Sequence, residues 1–169
     1  LKGLRTISTV TVKEFGTLTG DSILGGLIAN AGGTVNSTQL LSVFGNTQLF
    51  TGSVLQFQPN ATSTTARQLL TTGNVILGDG ISTTFPTLDV QPEGPIPLGT
   101  KLTVIDVAAN KTLVGKFALP NATNTNGVVL NEGSTLTAGG QNFTITYAGG
   151  ADAKDIVITR NSGPAFVNR

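Results

Sequence analysis

The chain is 169 residues long with a net charge of +1, and only 11% of its residues are charged, against about 25% in ordinary soluble domains. It has no Cys, His, Met or Trp. That excludes disulfides, thiolate and imidazole metal sites, and the Ser-His-Asp and Cys-His nucleophile arrangements. With no basic block and few aromatics, neither nucleic acid nor an anionic membrane surface is expected as a partner.

The 22 Gly residues, with Thr, Ser and Asn filling much of the remainder, point to a β-rich surface of hydroxyl and amide side chains rather than ion pairs. The length predicts one domain over residues 1–169, around one core. No stretch approaches the roughly 20 apolar residues that span a bilayer. No leader-like segment is visible and the chain begins at Leu1, so a mature or excised piece of a longer precursor is expected.

In chain order, residues 1–15 carry Lys2 and Arg5 and then a β-prone stretch, with Val10 and Val12 in strand register. This segment is expected either to fold back as a cap or to dock on the exposed edge of another copy. Residues 16–35 place Gly at 16, 20, 25, 26, 32 and 33 between single apolar residues. That spacing predicts tight corners between very short strands, as in the rungs of a parallel β-solenoid. Residues 39–50 fit neither the helical nor the strand period, so a short helix and another rung both stay open. Residues 52–58 read as a strand with Leu55 and Phe57 inward and Gln56 and Gln58 outward.

Residues 59–66 read as a polar loop, 67–77 as further strand, Gly78-Asp79-Gly80 as a turn, and 87–91 as a strand. Residues 92–97 hold three of the seven Pro (92, 95, 97) with Gly94 interleaved, and Pro cannot donate to a central ladder. This stretch is predicted to be a rigid surface crossing. From Leu98 onward the strands read as one closing unit, residues 98–160. Between Val104 and Ile105 the alternation changes phase, which predicts a bulge or a strand buried on both faces. Residues 121–126 read as a loop, and 127–130 and 134–137 as short strands. In residues 141–147 Phe143, Ile145 and Tyr147 share one face. Ala148-Gly149-Gly150 is the predicted turn, and residues 155–159 return with Ile156 and Ile158 toward the core.

The closing stretch resembles the ending of the autotransporter-associated β-strand repeat proteins, large secreted or surface passenger proteins of bacteria. The matching phrases are Gly99-Thr100, Leu102 to Asp106, Val114-Gly115-Lys116-Phe117 with Leu119-Pro120, Phe143 to Gly150, and Asp155 to Thr159. Two features depart from the family pattern. One residue is missing between Phe117 and Leu119-Pro120, and the usual Asp-Gly-Asn-Asp turn is replaced by residues 151–155. The resemblance implies a bacterial extracellular or cell-surface chain. It also implies an all-β fold of parallel β-solenoid-like rungs ending in a closing β-sheet unit, with little or no helix.

The nine acids, Glu14, Asp21, Asp79, Asp89, Glu93, Asp106, Glu132, Asp152 and Asp155, are spread singly, whereas glycoside hydrolysis needs a carboxylate pair roughly 5–10 Å apart. Only Asp152 and Asp155 are close in sequence, beside Gly149-Gly150. They faintly resemble the calcium-binding nonapeptide of β-roll proteins, in one copy and with Lys154 where an acid would help. They read as two solvated carboxylates on a turn, one paired with Lys154. Tyr147 falls with the core rather than on a sugar platform.

Five Asn-x-Ser/Thr sequons, at Asn36, Asn60, Asn110, Asn121 and Asn142, read as products of an Asn- and Thr-rich composition. No catalytic, metal or cofactor residue is assigned. The expected role is architectural: a rigid extracellular spacer or surface component. The rivals are a filament or sheath subunit joined to other copies by strand donation, and an adhesive module binding surface glycans through Thr and Asn ladders.

Overall fold

Very short apolar runs between Gly-, Asn- and Thr-rich corners cannot form helices, and in the computed structural model they form strands. It describes residues 8–20, 22–61, 69–79, 84–120 and 127–162, and every helix or strand among them is a strand. The first circuit is β1 (Thr9–Val12), β2 (Thr17–Thr19) and β3 (Ile23–Leu24). The second is β4 (Gly26–Ala29), β5 (Thr34–Ser37) and β6 (Leu41–Val43). The third is β7 (Thr47–Leu49), β8 (Val54–Phe57) and β9 (Leu69–Thr71), and the fourth is β10 (Val75–Leu77), β11 (Thr87–Val90) and β12 (Lys101–Val107). Then follow β13 (Leu113–Val114), β14 (Phe117–Ala118), β15 (Val129–Leu130), β16 (Thr135–Ala138), β17 (Gln141–Gly149) and β18 (Asp155–Asn161).

Through β14 every third strand falls in the same sheet, paired in parallel. The first runs β1-β4-β7-β10-β13, the second β15-β14-β11-β8-β5-β2, and the third β16-β17-β18-β12-β9-β6-β3. Inward residues therefore stack in columns. Leu18, Val35, Leu55 and Leu88 face one another in turn across the second sheet, and all four are buried. The separations between these partners lengthen along the chain because the connections between sheets lengthen, while the strands keep their register. The residues open to two readings, 39–50, are β6 and β7. Leu41, Val43 and Leu49 point in, whereas Leu40 and Phe44 sit on corners, 38% and 65% exposed. That corner placement is why the apolar residues of this stretch matched no single period.

The stack ends in antiparallel strands. β15 pairs antiparallel with β14, and β18, β17 and β16 extend the third sheet beyond β12 in antiparallel order. The expected phase change in β12 is a register shift between Thr103 and Ile105, with Val104 and Ile105 both fully buried. Phe143, Ile145, Ile156 and Ile158 lie together in the core, as their alternation requires.

One expectation needs correction. The turn predicted at Ala148-Gly149-Gly150 falls instead on residues 150–153. β17 continues through a register shift between Thr146 and Gly149, and Gly149 still pairs with Asp155. The irregularity absorbs the extra residues that the sequence assigned to the turn. Residues 9–12 of the N-terminal segment fold back on the chain, as the cap alternative expects. They pair in parallel with β4 of the same chain, Val10 opposite Leu27. Residues 1–7 lie outside the described residues, as do Asp21, Gly80 and Asn121. The crossing at residues 92–97 carries no strand, and it buries Ile96. Gln141 holds it in place: its Oε1 accepts from the Ile96 amide at 2.7 Å and its Nε2 donates to the Gly94 carbonyl at 2.9 Å.

Candidate functional site

The best candidates are in the closing unit, where side chains from distant parts of the sequence converge. Asp155 opens β18, and β18 lies beside β12, so its carboxylate faces the end of that strand. Oδ1 accepts from the Val107 amide at 3.0 Å. Gly150 runs so close to this carboxylate that a Cβ there would sit 2.0 Å from Oδ2. The residue also has φ +73, so both space and conformation demand glycine. Asp155 is therefore buried rather than solvated, which corrects the sequence reading. Lys154 is not its partner either. The ammonium donates to the carbonyls of Ala109 and Lys111, the latter at 3.0 Å.

Burial raises the Asp155 pKa above its ordinary value of 3.8. The Val107 hydrogen bond opposes this, and the charges of Asp106 and Asp152 add to it. A raised folded-state value means that the fold disfavours the ionised form. The favourable contribution is then full below pH 3.8 and is lost as pH rises through the folded value. Asp155→Asn keeps an acceptor for Val107 and removes the charge. It is expected to leave stability at pH 7 unchanged or higher, and to flatten the pH dependence above pH 3.8. Asp155→Ala, which strands the Val107 amide, is expected to destabilise. Thermal unfolding from pH 3 to 8 checks both. A steeper loss for Asp155→Asn than for wild type would contradict this account.

Tyr147 joins two sheets. Its ring is partly buried against the core, and its hydroxyl accepts from the Phe117 amide at 3.0 Å while donating to the Leu130 carbonyl at 2.8 Å. Its own amide donates to Glu132 at 2.7 Å. Burial pushes the phenol up to about 12; the Phe117 bond works against that rise and Glu132 works with it. The group is thus a neutral donor and acceptor at working pH, and it pins β14 and β15 to β17. Tyr147→Phe leaves an amide and a carbonyl short of a partner and is expected to cost roughly 1–3 kcal/mol. Urea denaturation measures this, and an unshifted midpoint would mean that water replaces the hydroxyl.

Outside this frame, the outer face of the closing strands carries a lattice of hydroxyls. Across four strands one row reads Thr135, Thr144, Thr159 and Lys101, and another reads Thr146, Val157 and Thr103. A third holds Thr137, Asn142 and Asn161. Thr137 donates to Asn142 at 2.8 Å, and Asn161 donates to Thr144. Where β17 is irregular, a depression of about 440 Å³ opens between Lys101, Thr103, Thr146, Gly149 and Thr159. The outer face of the second sheet carries an amide ladder instead: Asn36 donates to Gln56, Gln56 to Asp89, and Gln91 to Asp89. Both surfaces present hydrogen-bonding groups at the strand spacing of about 4.8 Å, neutral except for Lys101 on the first and Asp89 on the second. The alternation of each strand was legible in the sequence. Which strands lie side by side was not, because β12 meets β18 across a long stretch of chain.

The remaining acids stay dispersed. Glu14, Asp79 and Glu93 are exposed on corners, and Asp89 belongs to the amide ladder. Asp106, assigned no role from sequence, comes close enough to Asp155 to affect it. Among the described residues no group of three or more acids or other metal-ligating side chains converges on a metal-sized site. No protein-family model, curated protein or solved structure matches this chain.

Proposed function

We propose that the chain is an extracellular structural module, a rigid β-rich spacer or surface component of a bacterial autotransporter-type passenger protein, with no catalytic role. The observation that carries this reading is a parallel three-sheet stack whose second and third sheets both end in antiparallel strands. The edges there are the two-residue β15 and the four-residue β16, and short edge strands discourage further strand addition. The rest of the molecule is spent on stacked Leu, Val, Ile and Phe and on backbone ladders. The exposed apolar residues Phe15, Phe44, Leu98 and Val128 sit on four different connections.

The hydroxyl lattice on the closing strands favours a second reading, an adhesive face for surface glycans. Negative-stain microscopy and a glycan array on the purified chain separate the readings. The spacer reading expects discrete, monodisperse particles and no saccharide bound. Saturable binding to one glycan class, lost in Thr146→Val with Thr159→Val, would replace it with adhesion. Fibres that vanish when residues 1–15 are removed would replace it with strand donation between copies.

A further inference from the structure

We infer that Asn110 is a glycosylation acceptor, the sequon asparagine that, among the described residues, the fold leaves open to modification. The site stands whether or not the chain serves as a spacer. The four sequon asparagines in the described residues have different fates. Asn36 lies in the amide ladder; its Nδ2 donates to Gln56, and its Oδ1 is buried. Asn142 is inside β17, with strands hydrogen-bonded on both sides and its Oδ1 taken by Thr137. Asn60 is half-buried and already engaged in an interaction.

Asn110 differs from all three. It is exposed, in a turn closed by the Lys111 amide on the Ala108 carbonyl at 2.9 Å. Its side-chain amide forms no hydrogen bond among the described residues, and the sequon hydroxyl, on Thr112, is also on an exposed residue. Lys154 holds the carbonyls of Ala109 and Lys111, on either side of Asn110. The Thr112 amide is bonded to Asn74 Oδ1 at 3.1 Å. The turn is thereby fixed to the body of the protein with the asparagine exposed.

The co-substrate is a sugar activated at its anomeric carbon as a diphosphate ester. The Asn110 Nδ2 forms a bond to C1, the C1–oxygen bond to the diphosphate breaks, and the diphosphate leaves with the electron pair. The amide proton passes to a base of the transferase. No oxidant or reductant is consumed. Two donors share this chemistry, a nucleotide-diphosphate hexose and a lipid-pyrophosphate-linked oligosaccharide.

The test uses the full purified chain carrying Asn121→Gln, incubated natively folded and urea-unfolded with each donor and its matching transferase, soluble or membrane-derived. Peptide mapping by mass spectrometry reads the occupancy. The folded chain is expected to be modified at Asn110 with at least one donor, and that arm identifies the source. Asn36 and Asn142 should gain sugar only when unfolded, and Asn110→Gln and Thr112→Val should each abolish the folded-state product. A folded chain that stays unmodified at Asn110 with both donors overturns the assignment. So does a folded chain modified first at Asn36, Asn60 or Asn142.

Discussion

Truncating Phe143 to Ala is expected to cost about 3–5 kcal/mol, the range for a fully buried phenylalanine. The ring is completely enclosed and lies in register between Leu136 on β16 and Arg160 on β18. It therefore fills the inner face of all three antiparallel strands at once. The Arg160 guanidinium stands 5.8 Å above the ring, and Nε donates to Gln141 at 3.3 Å. Gln141 in turn holds the crossing at residues 92–97. Removing the ring thus opens a cavity and takes away the surface on which that arginine rests. Denaturant unfolding of the variant measures the loss. A cost below about 1 kcal/mol would mean that the three strands collapse freely around the gap.

The second large effect is expected at Gly73. Gly25, Gly45 and Gly73 stack at the corner leading from the third sheet to the first. A Cβ on Gly73 would lie 2.2 Å from the Gly45 carbonyl oxygen and 2.5 Å from the Asn46 nitrogen. Backbone cannot rotate aside as a side chain can, so Gly73→Ala must force neighbouring circuits apart. The expected cost is about 3 kcal/mol, the upper part of the range for overpacking. The same change at Gly133 provides the comparison. There the backbone has φ +77 and open space around it, so only the conformational cost of roughly 1–2 kcal/mol applies. Equal losses at the two sites would rule out close approach as the cause.

Local features were readable from the residues, and long-range ones were not. The alternation of Phe143, Ile145, Ile156 and Ile158 specified a buried face, and the phase change at Val104 and Ile105 specified an irregular strand. Both depend only on side chains a few positions apart. The repeat escaped a fixed period because residues 58–68 and 91–100 lengthen the same connection, from the second sheet to the third, in successive circuits. The burial of Asp155 escaped for another reason. A carboxylate beside Gly-rich turn residues reads as solvated until β12 is placed next to β18. The hydroxyl lattice likewise needed the pairing order of four strands, which no property of a single strand encodes.

The position of β18 between β12 and β17 has a consequence for the time order of events. β12 is made early relative to its neighbour, and the strand that completes its free side is the last in the described chain. Until residues 155–161 have emerged from a ribosome or an export pore, residues 101–107 present an unsatisfied edge with Leu102 and Val104 beside it. Closing that gap requires a loop of about 50 residues to be drawn in, and this entropy must be paid before any of the pairing is gained. The final strand thus acts as a latch. A chain arriving N-terminal end first stays open along β12 to helpers and to proteases until residues 155–161 follow.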